Sequence, residues 1–347
     1  MIDGKSEKMA ITIKDVAAET GLAISTISKY MNGGNVREEN KKRIKEAVNR
    51  LGYLPNSMAR GLRSAKTYTV GLLVSFFDDE HMILMSSMIE KVLQENGYFM
   101  IICCYKESPE RAKSSIDFLL QRQVDGVILE GYMTADEYTK PFETAGIPVV
   151  CLETLIGKGK NDAVVSDGTW GSYCAVEDMI ARGHTRIGII TGPKGYYTSD
   201  ERLRGYYRVL EDYRIPVREE YIIEGDYTYN AGLNGLEQLW KLKKKPTGVF
   251  ISNYFMCIGA VAAINRIGIK IPDDLSIVSY DDMELSLLMR PNLSAVKQPF
   301  SEMGEMAASI LIRRMNDDYS DFPRKIRLKS SYIMRDSVGR PKAKELD

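Results

Sequence analysis

The chain reads as an α/β protein with a small all-α head. Residues 12–32 carry the apolar spacing and glycine break of two short helices joined by a tight turn. From Tyr68 onward, short apolar runs alternate with amphipathic stretches, as parallel strands alternate with helices. Charge divides at the same place: residues 1–66 hold 13 lysines and arginines against 7 aspartates and glutamates, and the rest of the chain holds 34 against 40. The zero net charge of the 347 residues therefore conceals a basic head on an acidic body. Such a split suits a head that meets phosphate.

Residues 1–10 read as a disordered lead, with Met9 an alternative start, and 11–54 as the helical head. Ile13, Val16 and Ala17 recur at helical spacing and face a core, and Gly21 ends the first helix because glycine accepts the left-handed backbone of a turn. The second helix turns Ile27 inward. It leaves Ser25, Thr26, Ser28 and Lys29 outward, short polar groups that match the donors and acceptors of a major groove. The alternative is a surface helical hairpin. A third helix is expected from about Glu38 to Leu51, with Ile44, Ala47, Val48 and Leu51 inward and Gly52 at its end. Residues 55–66 read as a hinge: Pro55 opens a short helix that Asn56 or Ser57 caps, and Gly61 weakens it. A marginal helix between domains is suited to act as a folding switch.

In the body the strand candidates are 68–77, 98–105, 124–130, 147–153, 186–191, 247–252 and 275–280. Helical patterns lie between most of them, among them 82–96, 109–122, 168–182, 198–213 and 255–267. Short buried strands separated by helices imply parallel sheets wound on both faces. About 280 residues exceed one such sheet, so two similar subdomains are expected. Their ligand would bind in the cleft between them, at the carboxyl ends of the strands.

Several function classes drop out. The start lacks an apolar signal core and no apolar run reaches membrane-spanning length, so the expected location is the cytoplasm and no membrane partner is expected. Cys103, Cys104, Cys151, Cys174 and Cys257 are odd in number and contain no CxxC, which reads as free thiols and not as a metal or disulfide frame. His81 and His184 are the only histidines, and Thr-Gly-Pro-Lys-Gly at 191–195 lacks the Lys-Ser/Thr ending of a phosphate loop. Neither catalysis nor a cofactor or metal is expected.

The chain resembles the lactose/galactose repressor (LacI/GalR) family of bacterial transcription regulators from about Ile11 to Asp336. The matching segments are 12–17 (TIKDVA), 51–56 (LGYLPN), 59–63 (ARGLR), 124–128 (VDGVI), 183–187 (GHTRI), 191–193 (TGP) and 280–282 (YDD). The resemblance implies a type I periplasmic-binding-protein-like body with an N-subdomain of about 67–166 and 299–328, a C-subdomain of about 167–298 and 329–341, and a tail at 342–347. It implies a homodimer on a pseudo-palindromic operator in double-stranded DNA. Ile24, Ser25 and Lys29 would read bases, with Thr12, Thr26, Ser28, Asn32 and Tyr53 beside them. The hinge would lie in the minor groove through Asn56, Ser57, Ala59 and Arg60, with Leu62 as the wedge between base steps; the other reading of Leu62 is ordinary core. The tail has no leucine heptads, so a dimer is expected and not a tetramer.

Carried over by position, the small-molecule effector would meet Arg202, Asp281, Asn253 and Tyr227, with Trp170, His81 and Met82 from segments bordering the same cleft. A guanidinium fork holds hydroxyls or a carboxylate, and an aromatic face stacks on a ring. The set suits a sugar. The competing readings are a turn cap for Asp281 with Asp282, packing for Trp170 and a plain surface position for His81. The chain departs from the family at Ala23, where Ser or Thr usually caps the reading helix, in the short 32–35 turn, at Arg37 and Asn40, at Tyr254, at 166–167 and in the loop 75–82. Residues 225–229 and 285–291 also resemble the catabolite-control branch, whose corepressor is a phosphorylated carrier protein. A sugar-binding transport protein is the alternative from another class.

Overall fold

The computed structural model describes residues 11–31, 34–53, 66–77, 80–106, 108–131, 136–156 and 160–342. Asn32 and the hinge positions Asn56, Ser57, Ala59, Arg60 and Leu62 lie outside them. The chain divides into two compact units, Met1–Thr67 and Tyr68–Asp347.

In the first unit α1 (Ile13–Thr20), α2 (Ile24–Met31) and α3 (Glu38–Leu51) enclose Val16, Ile27, Ile44, Ala47 and Tyr53. Ile13, Ala17, Val48 and Leu51 pack on that cluster from partly buried positions. Thr12 starts α1: its N–H and its hydroxyl donate to the Asp15 carboxylate at 2.7 and 2.8 Å. Those bonds hold the Asp15 carboxyl below the usual carboxylate range. Gly21 and Gly52 end α1 and α3 at φ +63° and +66°, where a side chain would be strained. Ala23 has no side chain to cap α2, and its carbonyl takes the Thr26 and Ile27 N–H groups. Arg43 donates to the Thr20 carbonyl and so ties α3 to the end of α1.

The second unit holds two sheets, each of six strands among the described residues. The first contains β1 (Thr69–Val74), β2 (Phe99–Cys104), β3 (Gly126–Glu130), β4 (Val149–Leu152), β5 (Asp162–Ser166) and β11 (Lys325–Leu328). Its order is β11-β5-β4-β3-β1-β2, parallel throughout. The second contains β6 (Ile187–Thr191), β7 (Ile222–Glu224), β8 (Gly248–Ile251), β9 (Ser276–Tyr280), β10 (Ser294–Lys297) and β12 (Ser331–Ile333). Its order is β12-β10-β9-β8-β6-β7, with only β12 antiparallel.

The two orders are the same, and each reverses direction beside its first strand. That reversal opens a crevice at the carboxyl ends of β1 and β3 and of β6 and β8. The chain passes between the sheets after Ser166, after Lys297 and after Leu328. After the second passage α12 (Phe300–Met315) joins α4 (Glu80–Glu95) over the first sheet, burying Met82, Met85, Ile89, Met303, Ala307 and Leu311. Strands β5, β7, β10, β11 and β12 are absent from the sequence-derived set. Each is short, and all but β7 start on a charged or hydroxyl residue, so none shows an extended apolar run.

Candidate effector cleft and reading helix

On α2, Ile24 is 36% exposed, Ser25 and Lys29 are exposed, and Thr26 and Ser28 are half-buried beside them. Ile27 takes the opposite, fully buried face, so the helix presents its short polar side outward. The Gly34 N–H donates to the Lys29 carbonyl at 2.8 Å. A Cβ on Gly34 would lie 2.6 Å from the Lys29 Cγ, so the aliphatic stem of Lys29 rests against bare backbone. Thr12 is exposed at the start of α1. Tyr53, expected at the DNA, is 9% exposed and belongs to the head's core.

In the body a cavity of about 280 Å³ lies at the carboxyl ends of the strands. Its lining includes residues that end a strand or lie one or two positions beyond it: Phe76, Glu130, Gly131, Glu153, Asn253, Asp281 and Gln298. The first sheet supplies Glu130 and Glu153; the second supplies Asp281 and Asn253, joined by Arg202 from α8 (Tyr197–Asp212). Of the seven residues expected here, His81, Arg202, Tyr227, Asn253 and Asp281 line the cavity. Met82 does not: it is 1% exposed inside the first sheet's core. Trp170 is not among the lining residues either. It is 41% exposed, stacked on Tyr173 with the Lys329 ammonium 4.7 Å from its ring centre.

Arg202 is 5% exposed, donates from Nη1 to the Ser252 carbonyl at 2.7 Å, and lies over the Tyr280 ring at 3.8 Å. Burial opposes its charge, but Tyr227, Tyr280, Asp281 and Glu153 outweigh burial and hold it firmly protonated. Asp281 accepts from Gln298 Nε2 at 2.6 Å. The turn-cap reading paired it with Asp282, which instead binds Arg335 through both oxygens at 2.7 and 2.9 Å. Asn253 caps α10 (Tyr254–Ile267) by accepting from the Met256 N–H, so its NH₂ is the group left for a ligand. The Tyr227 ring covers Gly192, where a Cβ would stand 2.2 Å from it, and its hydroxyl meets Thr198 at 3.1 Å. That contact explains the glycine in the Thr-Gly-Pro segment. His81 stacks on Phe300 at 5.2 Å.

Glu130 and Glu153 escaped the sequence reading. Glu130 accepts from the Ser75 N–H and hydroxyl at 3.3 and 3.2 Å, and Glu153 from the Ser166 N–H and hydroxyl at 2.7 and 3.3 Å. Burial pushes the Glu153 carboxyl above its ordinary value, against the pull of Arg202 and of the Ser166 bonds. The available signal was positional: the apolar windows 124–130 and 147–153 each end on one of these acids. Glu153, Tyr227 and Asp281 also have φ of +56°, +66° and +73°. Left-handed backbone at non-glycine residues costs of order 1–3 kcal/mol each and gathers at ligand sites.

Comparison with known proteins agrees with both parts. The family model described as bacterial regulatory proteins, lacI family, matches residues 12–56, and that of the periplasmic binding protein-like domain matches 176–338. Catabolite control protein A of Priestia megaterium is 31% identical over 90% of this chain and 95% of its own. A ribose operon repressor of Haemophilus influenzae is 31% identical over 94% and 98%. Among solved structures, a CelR–cellobiose complex superposes with a TM-score of 0.74 at 26% identity, covering 94% of this chain and 99% of that one. The Lac repressor dimer bound to operator and an anti-inducer shares the fold, with a TM-score of 0.85 at 24% identity and coverage of 95% and 100%. The transport-protein alternative falls with the match of the DNA-binding head. The chain belongs to the LacI family of bacterial regulatory proteins, which are DNA-binding transcriptional repressors and not enzymes.

Proposed function

We propose that this repressor controls its operator through a sugar bound in the cleft of the body. The observation that carries the reading is that one cavity gathers hydroxyl-binding groups from both sheets, Glu130 and Glu153 from one and Arg202, Asn253 and Asp281 from the other. A ligand that bridges them favours one arrangement of the two halves, and its differential affinity for the two arrangements sets the shift in operator binding. A tenfold release requires about 1.4 kcal/mol. Ile24, Ser25 and Lys29 on α2 read the bases, and Leu62 in the hinge is the wedge. The protein works in the cytoplasm as a homodimer. Exposed apolar side chains on α4 and β2 (Ile83, Leu84, Phe99, Ile102), and Leu287 and Leu288 on the other half, offer surface for a second copy to cover. No helix among the described residues is long and apolar enough to cross a membrane.

The test is selection of bound fragments from sheared source DNA, followed by titration of the recovered site with sugars. Recovery of a pseudo-palindrome released or tightened by a sugar supports the reading. Arg202→Ala then abolishes the sugar response and keeps operator binding; a normal response in that variant overturns the cleft assignment. Light scattering at micromolar concentration should give a dimer. The second reading, a phosphorylated carrier protein as corepressor, draws on the similarity to catabolite control protein A. A pull-down with the phosphorylated carrier separates the two.

A further inference from the structure

The charges lining the cleft are unbalanced. Its described lining carries four carboxylates, Glu130, Glu153, Asp226 and Asp281, against one guanidinium, that of Arg202. Arg202 is also largely used up within the protein: a carbonyl takes Nη1, the Tyr280 ring lies under Cζ, and the charges around it are acidic. Its Nε is the one buried donor of that side chain left without a partner. On the second passage between the sheets, Gln298 is 5% exposed, spends its NH₂ on Asp281 and keeps Oε1 buried with no hydrogen-bond partner. The cleft therefore offers a ligand acceptors, Gln298 Oε1 and the remaining carboxylate lone pairs, beside two donors, Arg202 Nε and the Asn253 NH₂.

We propose, building on the sugar reading above, that the effector is a polyhydroxylated amine, an amino sugar in its protonated form, and that the cleft rejects anionic sugars. Hydroxyls donate to Gln298 Oε1 and the carboxylates. The ammonium takes its place by the first-sheet acids Glu130 and Glu153. Phe76, Phe300 and Tyr227 add aromatic rings to the lining of the cavity, and such faces attract a cation within about 6 Å of the ring centre. A phosphate or carboxylate on the ligand would meet four like charges and a single, already compensated arginine. Acids stand on both sides of the cleft, so drawing the halves together around an empty site brings like charges closer. A bound cation removes that penalty and couples occupancy to closure. A divalent metal is a poor substitute, since no three acidic, histidine or cysteine side chains among the described residues are grouped to hold one.

The experiment is calorimetry on the full-length protein at pH 7 with matched triplets. Each consists of a neutral hexose, its 2-amino derivative and its 6-phosphate, in the gluco, galacto and manno series. The expected result is at least tenfold tighter binding of one amino sugar than of its neutral parent, about 1.4 kcal/mol, with no measurable binding of its phosphate. Glu153→Gln should weaken binding of the amino sugar more than that of its neutral parent and so reduce that preference, while an unchanged far-UV spectrum and a cooperative thermal melt show an intact fold. Equal affinity for amino and neutral sugars, or tighter binding of a phosphate, overturns the charge assignment and leaves the sugar reading standing. Failure of every member to bind overturns both.

Discussion

The two halves of the body share one strand order but are fastened by different chemistry. In the first, the edge of the sheet is held by charge: Arg314 binds both oxygens of Asp162 at 2.7 and 2.9 Å, with both side chains 1% exposed. Asp321 and the rings of Tyr319 and Phe322 close around the guanidinium. In the second, one ion pair, Asp282 with Arg335, accompanies ties at Ser294 and Thr247 that are neutral. Ser337 accepts from the Ser294 N–H and donates to the Ile277 carbonyl, and His184 sits between the Thr247 hydroxyl at 2.8 Å and the Gly339 carbonyl at 3.0 Å. A shared topology therefore prescribes where a sheet needs tying and leaves open how. A buried ion pair tolerates loss of a partner badly, whereas neutral hydrogen bonds make the second half sensitive to the protonation of one imidazole.

The largest expected effect breaks the first tie. Arg314→Leu strands the Asp162 carboxylate in the interior and should cost about 3–5 kcal/mol in urea unfolding. Replacing both partners with leucine should recover most of the loss. A single variant that loses no more than an ordinary surface substitution, about 0.5 kcal/mol, would remove the pair from its fastening role.

His184→Gln tests the second tie and should cost about 1–3 kcal/mol at pH 8. Burial lowers the His184 pKa below 6.5, so the folded protein prefers the neutral ring. As pH drops below 6.5 the unfolded chain takes the proton first. Wild type then loses stability until the lowered folded value is passed, and the gap to the glutamine variant should narrow. A gap that stays constant from pH 8 to pH 5 contradicts the assignment.

The smallest effect has the opposite sign. Glu153 has a raised pKa in the fold. Its protonated form therefore stabilises, fully below the unfolded value near 4.5, and that contribution fades as pH rises through the folded value. Glu153→Gln should accordingly raise stability at pH 7–8, by of order 0.5 kcal/mol, and the gain should vanish below about pH 4.5. Thermal melts across that range read the sign. A variant less stable than wild type at pH 8 would mean that the Ser166 bonds outweigh the buried charge.

Much of this molecule is legible in its residues, for identifiable reasons. Val16, Ile27, Ile44 and Ala47 lie at helical spacing and prove fully buried, and seven apolar runs become seven strands. The edge strands were opaque because Lys325–Leu328 alternates charge with half-buried apolar groups and Ile222–Glu224 is only three residues long. In the cleft, residues tied to recognisable segments came through: Arg202, Tyr227, Asn253 and Asp281 all line it. Met82 went wrong because neighbours on a helix face opposite ways: His81 reaches the cavity and Met82 the core. Glu130, Glu153 and Gln298 stayed hidden because what places them is their position at or just after a strand end, and the partner strands come from distant parts of the chain.

The three passages between the sheets have a consequence for synthesis. The first sheet's strands β1 to β5 are complete when the ribosome has made residue 166, yet α12 and β11 arrive only by residue 328. At about 5–20 residues per second that is a wait of roughly 10–30 s. Throughout it, Met82, Met85 and Ile89 lack the helix that later buries them. The half that is translated first is thus the one that finishes late, and the nascent chain offers chaperones a methionine-rich face for the whole interval.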